Sequence, residues 1–251
     1  MATYLYCVLQ PPRNEEVPSG LTGVGDAPVR SLSFGAASGL VAWVSTVDEG
    51  ILRSTGRALA EQALKHNEVV SAAWRTGRTP APARYGSRFL DDAACLADLE
   101  RRSTELSAIL ERIADSVEMP VLLVPTTRRV ASTGVATPAS GEPAAGKRYL
   151  ESVRQRTRER ERHRASADAE AGRLAAAIAP LIRGEVRSVS SDGVMSIAYL
   201  VENGNVARFK DALSAFTAMP AFRLLEGEMR APYSFATPGL DHIGHDSSSR
   251  P

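Results

Sequence analysis

The sequence predicts an α+β chain of two domains, on three observations. β-branched and alternating apolar runs stand near both ends of the chain, for example Val29–Phe34 and Val194–Val201. Between them, long stretches repeat apolar residues at steps of three and four, the period of a helix with one buried face. From Met119 onward the patterns follow in the order strand, helix, strand, strand, helix, strand. That is the split βαβ order of a ferredoxin-like domain. The boundary is expected near Val117, with 1–117 as an N-terminal α+β domain, 118–236 as a ferredoxin-like C-terminal domain and 237–251 as a polar, disordered tail.

The elements are justified in chain order. Thr3–Leu9 is a buried first strand, and Gln10–Pro28 a loop rich in Pro and Gly. Val29–Phe34 and Leu40–Val47 form a hairpin, because Gly35 and Gly39 bound the short link between them. Leu59, Ala63, His66, Val70 and Ala73 mark one face of a helix from about Thr55 to Trp74. Pro80 and Pro82 cannot continue it. Asp91 and Asp92 suit the start of a second helix, where carboxylates accept from free N–H groups. Cys95, Leu99, Leu106, Ile109 and Ile113 carry its stripe as a single helix to about Asp115.

In the second half, Met119–Val124 is a short apolar strand bounded by prolines, and Thr126–Gly146 a Thr/Ala/Ser/Pro/Gly-rich flexible loop. A long helix is expected from about Lys147 to Ile182, its first half charged and its second half apolar on one face at Ala167, Ala171, Leu174, Ile178 and Leu181. Val186–Ser190 and Val194–Val201 pair around Ser191-Asp-Gly193; Val206–Phe216 is a helix and Phe222–Glu228 the last strand.

Composition excludes more than it assigns. The chain has 251 residues, is 43% hydrophobic and carries a formal net charge of +1. That size and apolar share support a real core. Near-zero charge does not predict a nucleic-acid binder. Cys7 and Cys95 are expected to be reduced and buried. The first residues lack a basic region followed by an apolar core, so no signal peptide is expected, and no stretch reaches the ~18 apolar residues of a membrane span. The expected location is the cytoplasm.

Catalytic chemistry has little purchase. His66 lies on an apolar helix face, where a structural role is expected. His242 and His245 sit in a Ser/Gly/Pro tail with no core to hold metal ligands in geometry. Gly20-Leu-Thr-Gly-Val-Gly25 lacks the Lys-Ser/Thr of a P-loop and precedes a strand, so its glycines are expected to permit turns. No cofactor, metal or catalytic residue is predicted. A ligand-sensing or enzymatic protein on ferredoxin-like domains is the alternative.

The strongest charge feature is Lys147–Arg164, with eight basic residues against three acidic ones. Pairs such as Glu159 with Arg162 partly neutralise it. It reads either as a solvated helix or as a docking helix, in which Arg154, Arg156, Arg158 and Arg160 offer guanidinium forks to carboxylates. The extended Pro82–Phe89 segment places Arg84, Tyr85, Arg88 and Phe89 between two helices. They either close a sheet or face a partner. Tyr233 and Phe235, in Pro232-Tyr-Ser-Phe235, carry the same two readings.

Four segments in order, Pro82-Ala-Arg-Tyr-Gly-Ser-Arg-Phe89, Gly146-Lys-Arg-Tyr-Leu150, Ala198-Tyr-Leu-Val-Glu202 and Arg230-Ala-Pro-Tyr-Ser-Phe235, give the chain a likeness from Thr3 to Phe235. It resembles the gas vesicle protein F/L family. It departs from the family's tryptophan-containing ending, which here reads Gly227-Glu-Met-Arg-Ala-Pro-Tyr-Ser-Phe235. The resemblance implies two α+β domains, the first a modified ferredoxin-like one. It implies a non-enzymatic accessory protein of gas vesicle assembly. The implied partners are the small hydrophobic shell protein and other accessory proteins, with neither nucleic acid nor lipid membrane among them.

Overall fold

The computed structural model describes residues 1–10, 17–35, 39–126, 143–190 and 193–240, without the side chains of 143–152, 156, 159, 160 and 237–240. They fall into two compact units. One is Met1–Glu118 together with the segment that starts at Met229; the other is Met119–Glu228.

The first unit is built on β1 (Ala2–Leu9), all eight residues of which are buried. A strand covered on both faces needs no polar alternation, which is why Thr3–Leu9 reads as a continuous apolar run. Next come β2 (Arg30–Phe34) and β3 (Leu40–Val47), a short α1 (Glu49–Leu52) and α2 (Gly56–Arg75). β4 (Ala81–Pro82) and β5 (Arg88–Phe89) follow. The sheet order is β2-β3-β1-β4, with β5 also on β1. All these pairs are antiparallel.

Two features tie this sheet to its loops. Gly23 approaches Tyr6 so closely that a Cβ would lie 2.1 Å from the phenol oxygen, and that oxygen accepts from Val24 N at 2.9 Å. Gly25 N donates to Gln62 Oε1 at 2.7 Å. The glycine-rich loop thus spends these two amides on its own core.

The single helix expected after Asp91 is two. α3 (Asp92–Arg101) is capped by Asp91, which accepts from Ala94 N, and α4 (Ser103–Ile113) starts anew. Arg102 between them has left the helical region, at φ −106° and ψ 7°. Ser103 and Thr104 at this point are residues whose hydroxyls compete for local backbone groups, a weak place for a helix to continue. The buried stripe crosses the break, so the apolar pattern alone did not reveal it.

β6 (Ser116–Pro125) starts earlier than Met119 and contains Pro120. Pro120 donates nothing to the sheet, but its carbonyl accepts from Gly227 N at 2.8 Å. Then come α5 (Pro143–Ile178), β7 (Ile182–Val189), β8 (Met195–Glu202), α6 (Val206–Ala215) and β9 (Phe222–Glu226). The second sheet has the order β7-β8-β6-β9. Tyr199 of β8 meets Phe209 of α6 at 5.7 Å between ring centroids, and α6 packs on α5. The α5 carboxylate of Glu170, fully buried, accepts from Met219 N at 2.8 Å and from Arg173 at 2.7 Å.

Two expectations change here. Tyr233–Leu240 is a helix, α7, not the extended end of a strand followed by a tail from 237. And the segment from Met229 belongs with the first unit, whereas the expected boundary placed it in the second. In chain order the second unit is therefore an insertion into the first. The loop expected over 126–146 is helical from Pro143, proline being well suited to a first helical turn. Residues 127–142 and the tail from 241 lie outside the described residues.

Candidate partner interface

Three places hold the residues that sequence singles out, and they differ in how much of each side chain is left for a partner.

The first surrounds His66. α2 presents it to the sheet almost fully buried, at 2% exposure. Its Nε2 lies 3.1 Å from Ala83 O and its Nδ1 2.9 Å from Tyr4 Oη. A carbonyl only accepts, so Nε2 carries the hydrogen and Nδ1 accepts from the Tyr4 hydroxyl. Tyr4 Oη in turn accepts from Gly86 N at 3.1 Å. Burial pulls the imidazole down to about 4, so it is neutral at physiological pH. Tyr85 stands 6.0 Å and Tyr233 6.3 Å from the imidazole, ring centroid to ring centroid. The Pro82–Phe89 and Pro232–Phe235 segments, far apart in sequence, thus meet at one histidine. Tyr85 and Tyr233 are walls of this cluster. Phe235 is also buried, and its carbonyl accepts from Arg112 at 2.7 Å. Phe89 is half-buried, opposite Thr3 in the β1–β5 pair. Of the six candidates here, Arg84 and Arg88 alone are exposed. Leu90, which sequence reading passed over, is 79% exposed beside them. Its only signal was an apolar residue just before the Asp91 cap.

The second place was not anticipated. Glu118 is fully buried, and both carboxylate oxygens are used by the C-terminal segment. Oε1 accepts from Arg230 Nε at 2.9 Å, Arg230 Nη2 at 2.5 Å and Ser234 Oγ at 3.1 Å. Oε2 accepts from Ser234 N at 2.7 Å. The backbones of Glu118 and Arg230 exchange two further hydrogen bonds, at 2.9 and 3.0 Å. A buried carboxylate needs such a set of donors to offset its lost hydration. In sequence, Glu118 is a lone acid before an apolar run, and its partners lie more than a hundred residues away.

The third place is the N-terminal half of α5. Every described side chain from Val153 to Ser166 is exposed. Arg154 and Arg158 are among them; the side chains of Arg156 and Arg160 lie outside the described residues. Arg162, which was not among the four candidates, continues the row at the same spacing. Among the described side chains of α5, Ala167 is the first buried one, followed by Glu170, Ala171, Leu174 and Ile178.

No group of three or more His, Cys, Asp or Glu side chains suited to a metal ion occurs among the described residues. His242 and His245 lie outside them. Both cysteines are free and buried. No described helix is long and apolar enough to cross a membrane.

Comparison with known proteins bears on the whole chain. Its fold is similar to that of the gas vesicle protein GvpF from Anabaena sp. PCC7120, with a TM-score of 0.64 over 94% of this chain and 98% of that one, at 16% identity. It is also similar to GvpF from Microcystis aeruginosa, with a TM-score of 0.62, the same coverage and 17% identity. No curated protein matches it in sequence. The family model for the gas vesicle synthesis protein GvpL/GvpF matches residues 2–237, which is nearly the whole chain, and the protein therefore belongs to the GvpL/GvpF family.

Proposed function

We propose that this chain is a non-enzymatic adaptor of gas vesicle assembly that holds the small hydrophobic shell protein in the cytoplasm before it polymerises, alone or with other accessory proteins. Membership of the GvpL/GvpF family supports the process. The observation that carries the adaptor role is the division of labour along the chain. Tyr85, Tyr233, Phe235 and the deeply buried His66 are spent on the core, while every described side chain from Val153 to Ser166 is exposed. An enzyme concentrates perturbed titratable groups in an open cleft. Here the perturbed histidine is sealed between tyrosines and a carbonyl. A shell subunit exposes apolar surface that must be kept from premature association, and a surface with uncovered elements is what such a subunit requires.

The order β7-β8-β6-β9, with α5 after β6 and α6 after β8, supports reading the second unit as ferredoxin-like. Arg84, Arg88 and Leu90 form a second candidate contact surface on the first unit, and the α5 arginines the principal one on the second.

Co-expression of the full chain with a gas vesicle shell protein tests the role. The shell protein is expected to stay soluble and to co-purify with the chain. A shell protein that aggregates to the same extent with and without the chain would overturn it.

A further inference from the structure

Arg154, Arg158 and Arg162 recur at every fourth residue of α5, a spacing of ~6 Å along the helix axis, and all three are exposed. Gln155, also exposed, lies beside them on the same helix. None of the three arginines has an ion pair among the described residues. Glu159 and Glu161 offset the row only in part. Like charges four residues apart repel, whereas a solvated surface helix gains from alternating opposite charges at that spacing. Elsewhere the chain uses that favourable pattern, as in Arg57 with Glu61 on α2, 2.9 Å apart. The row also runs along a ridge of residues four apart, the ridge that commonly packs beside its like on another helix.

We infer that, within the adaptor role proposed above, this arginine row docks an acidic α-helix of the partner, one that presents Glu or Asp at every fourth residue. The charge fits, and so does the chemistry: a guanidinium fork takes a carboxylate through two parallel hydrogen bonds. A second helix presents its own fourth residues at the same ~6 Å rise, so the two rows stay in step where two such ridges pack together. Nucleic acid fits less well. Sequence-tolerant binding of single strands relies on aromatic platforms, and Val153–Ser166 contains no Phe, Tyr or Trp.

The test uses the full chain and a synthetic helical peptide with Glu at every fourth position, a Gln-substituted copy as control, and a duplex DNA of equal charge. Binding is read by fluorescence anisotropy at low and at physiological salt. The R154Q/R158Q/R162Q variant, checked for unchanged helicity by circular dichroism, is measured in parallel and also used to capture the shell protein. The Glu peptide is expected to bind the native chain at least tenfold more tightly than the variant, with the difference shrinking as salt rises. The Gln peptide is expected to show no such difference. Equal binding of the Glu peptide to both chains would overturn the inference, as would tighter binding of DNA than of peptide. Equal capture of shell protein by both chains would overturn it for this partner and leave the adaptor role standing. No capture by either chain, with peptide discrimination intact, would instead count against the adaptor role and keep the acidic-helix specificity.

Discussion

The surroundings of His66 and Glu118 contrast sharply with the N-terminal half of α5. In the first unit, every polar group named at those two residues is answered from inside the molecule. The imidazole uses both nitrogens, and the Glu118 carboxylate receives four hydrogen bonds from two residues of the C-terminal segment. In α5, the described side chains from Val153 to Ser166 are all exposed. The contrast teaches that a recognisable motif and an available surface are different things. Pro82–Phe89 and Pro232–Phe235, which carry the family resemblance, meet at His66 within the first unit. The uncommitted surface has no motif at all.

Breaking the Glu118 cluster is the most severe way to probe that closure. Glu118→Ala strands the Arg230 guanidinium and leaves Ser234 N without its acceptor. Loss of one partner of a buried charge pair typically costs roughly 3–5 kcal/mol. Arg230 is half-exposed and can recover some hydration, so the lower end is expected. Urea denaturation followed by tyrosine fluorescence is the measurement. If closure by the C-terminal segment matters as described, truncation before Met229 will lower stability at least as much. Full stability after that truncation would show that the first unit is complete without it.

The next effect is a pH dependence. Burial lowers the His66 pKa from about 6.5 to about 4. A base whose folded pKa is depressed is protonated more readily in the unfolded chain, so between those two values the unfolded state binds more protons. Its contribution is therefore complete above about pH 6.5, declines as pH falls and is gone below about 4. The size is roughly 3 kcal/mol, from a shift of about two and a half units. Denaturation midpoints at pH 7.5 and 4.5 should show this loss in the native chain. In His66→Gln, the part of the pH dependence due to this residue should vanish. An undiminished slope in that variant would place the acid sensitivity elsewhere.

Tyr4→Phe is a milder cut into the same cluster. It removes the donor to His66 Nδ1 and the acceptor of Gly86 N, while keeping the ring that packs at 4.9 Å on Tyr6. Leaving the buried His66 Nδ1 unsatisfied costs about 1–3 kcal/mol, and the half-buried Gly86 N can recover some hydration. The same denaturation assay should also show the His66 pH dependence altered, because the Tyr4 hydroxyl donates to the neutral form of the imidazole at Nδ1, while the Ala83 carbonyl keeps the hydrogen on Nε2.

Much of the fold was legible because local rules decide it. The apolar run of β1, the glycines flanking the β2–β3 link, the Asp91 cap and the α5 periodicity each act over a few residues. What was not legible depends on distant partners or on backbone geometry. Glu118 is identified as a buried anchor only once Arg230 and Ser234 are beside it. Arg102 breaks a helix without interrupting the apolar stripe. Tyr233–Leu240 runs across the expected start of the tail at 237, and its helical state brings it against α4 and β4 of the first unit. The candidate site divided along the same line. Tyr85, Tyr233 and Phe235 were chosen as aromatics in memorable motifs, and aromatics in such motifs are often there for packing. Arg154 and Arg158 stand out in the sequence by charge, a property that burial forbids unless it is paired, so their exposure is readable from composition.

The smallest expected effect on stability is also the one that separates the two regions most cleanly. Neutralising Arg154, Arg158 and Arg162 removes two repulsive pairs, Arg154–Arg158 and Arg158–Arg162, against the opposite-charge spacing of Glu159 with Arg162, and it removes none of the ion pairs formed among the described residues. Each such pair is worth ~0.2–0.5 kcal/mol in an isolated helix. The triple Gln variant should thus unfold at the same denaturant concentration as the native chain or slightly higher, although three charges have gone. A core residue never behaves this way. Removing Glu118 or the Tyr4 hydroxyl must cost stability, because those groups are consumed within the molecule. If the arginine variant instead lost more than about 1 kcal/mol, the row would be holding the chain's own structure, and the distinction between a spent cluster and an open helix would fail at its clearest point.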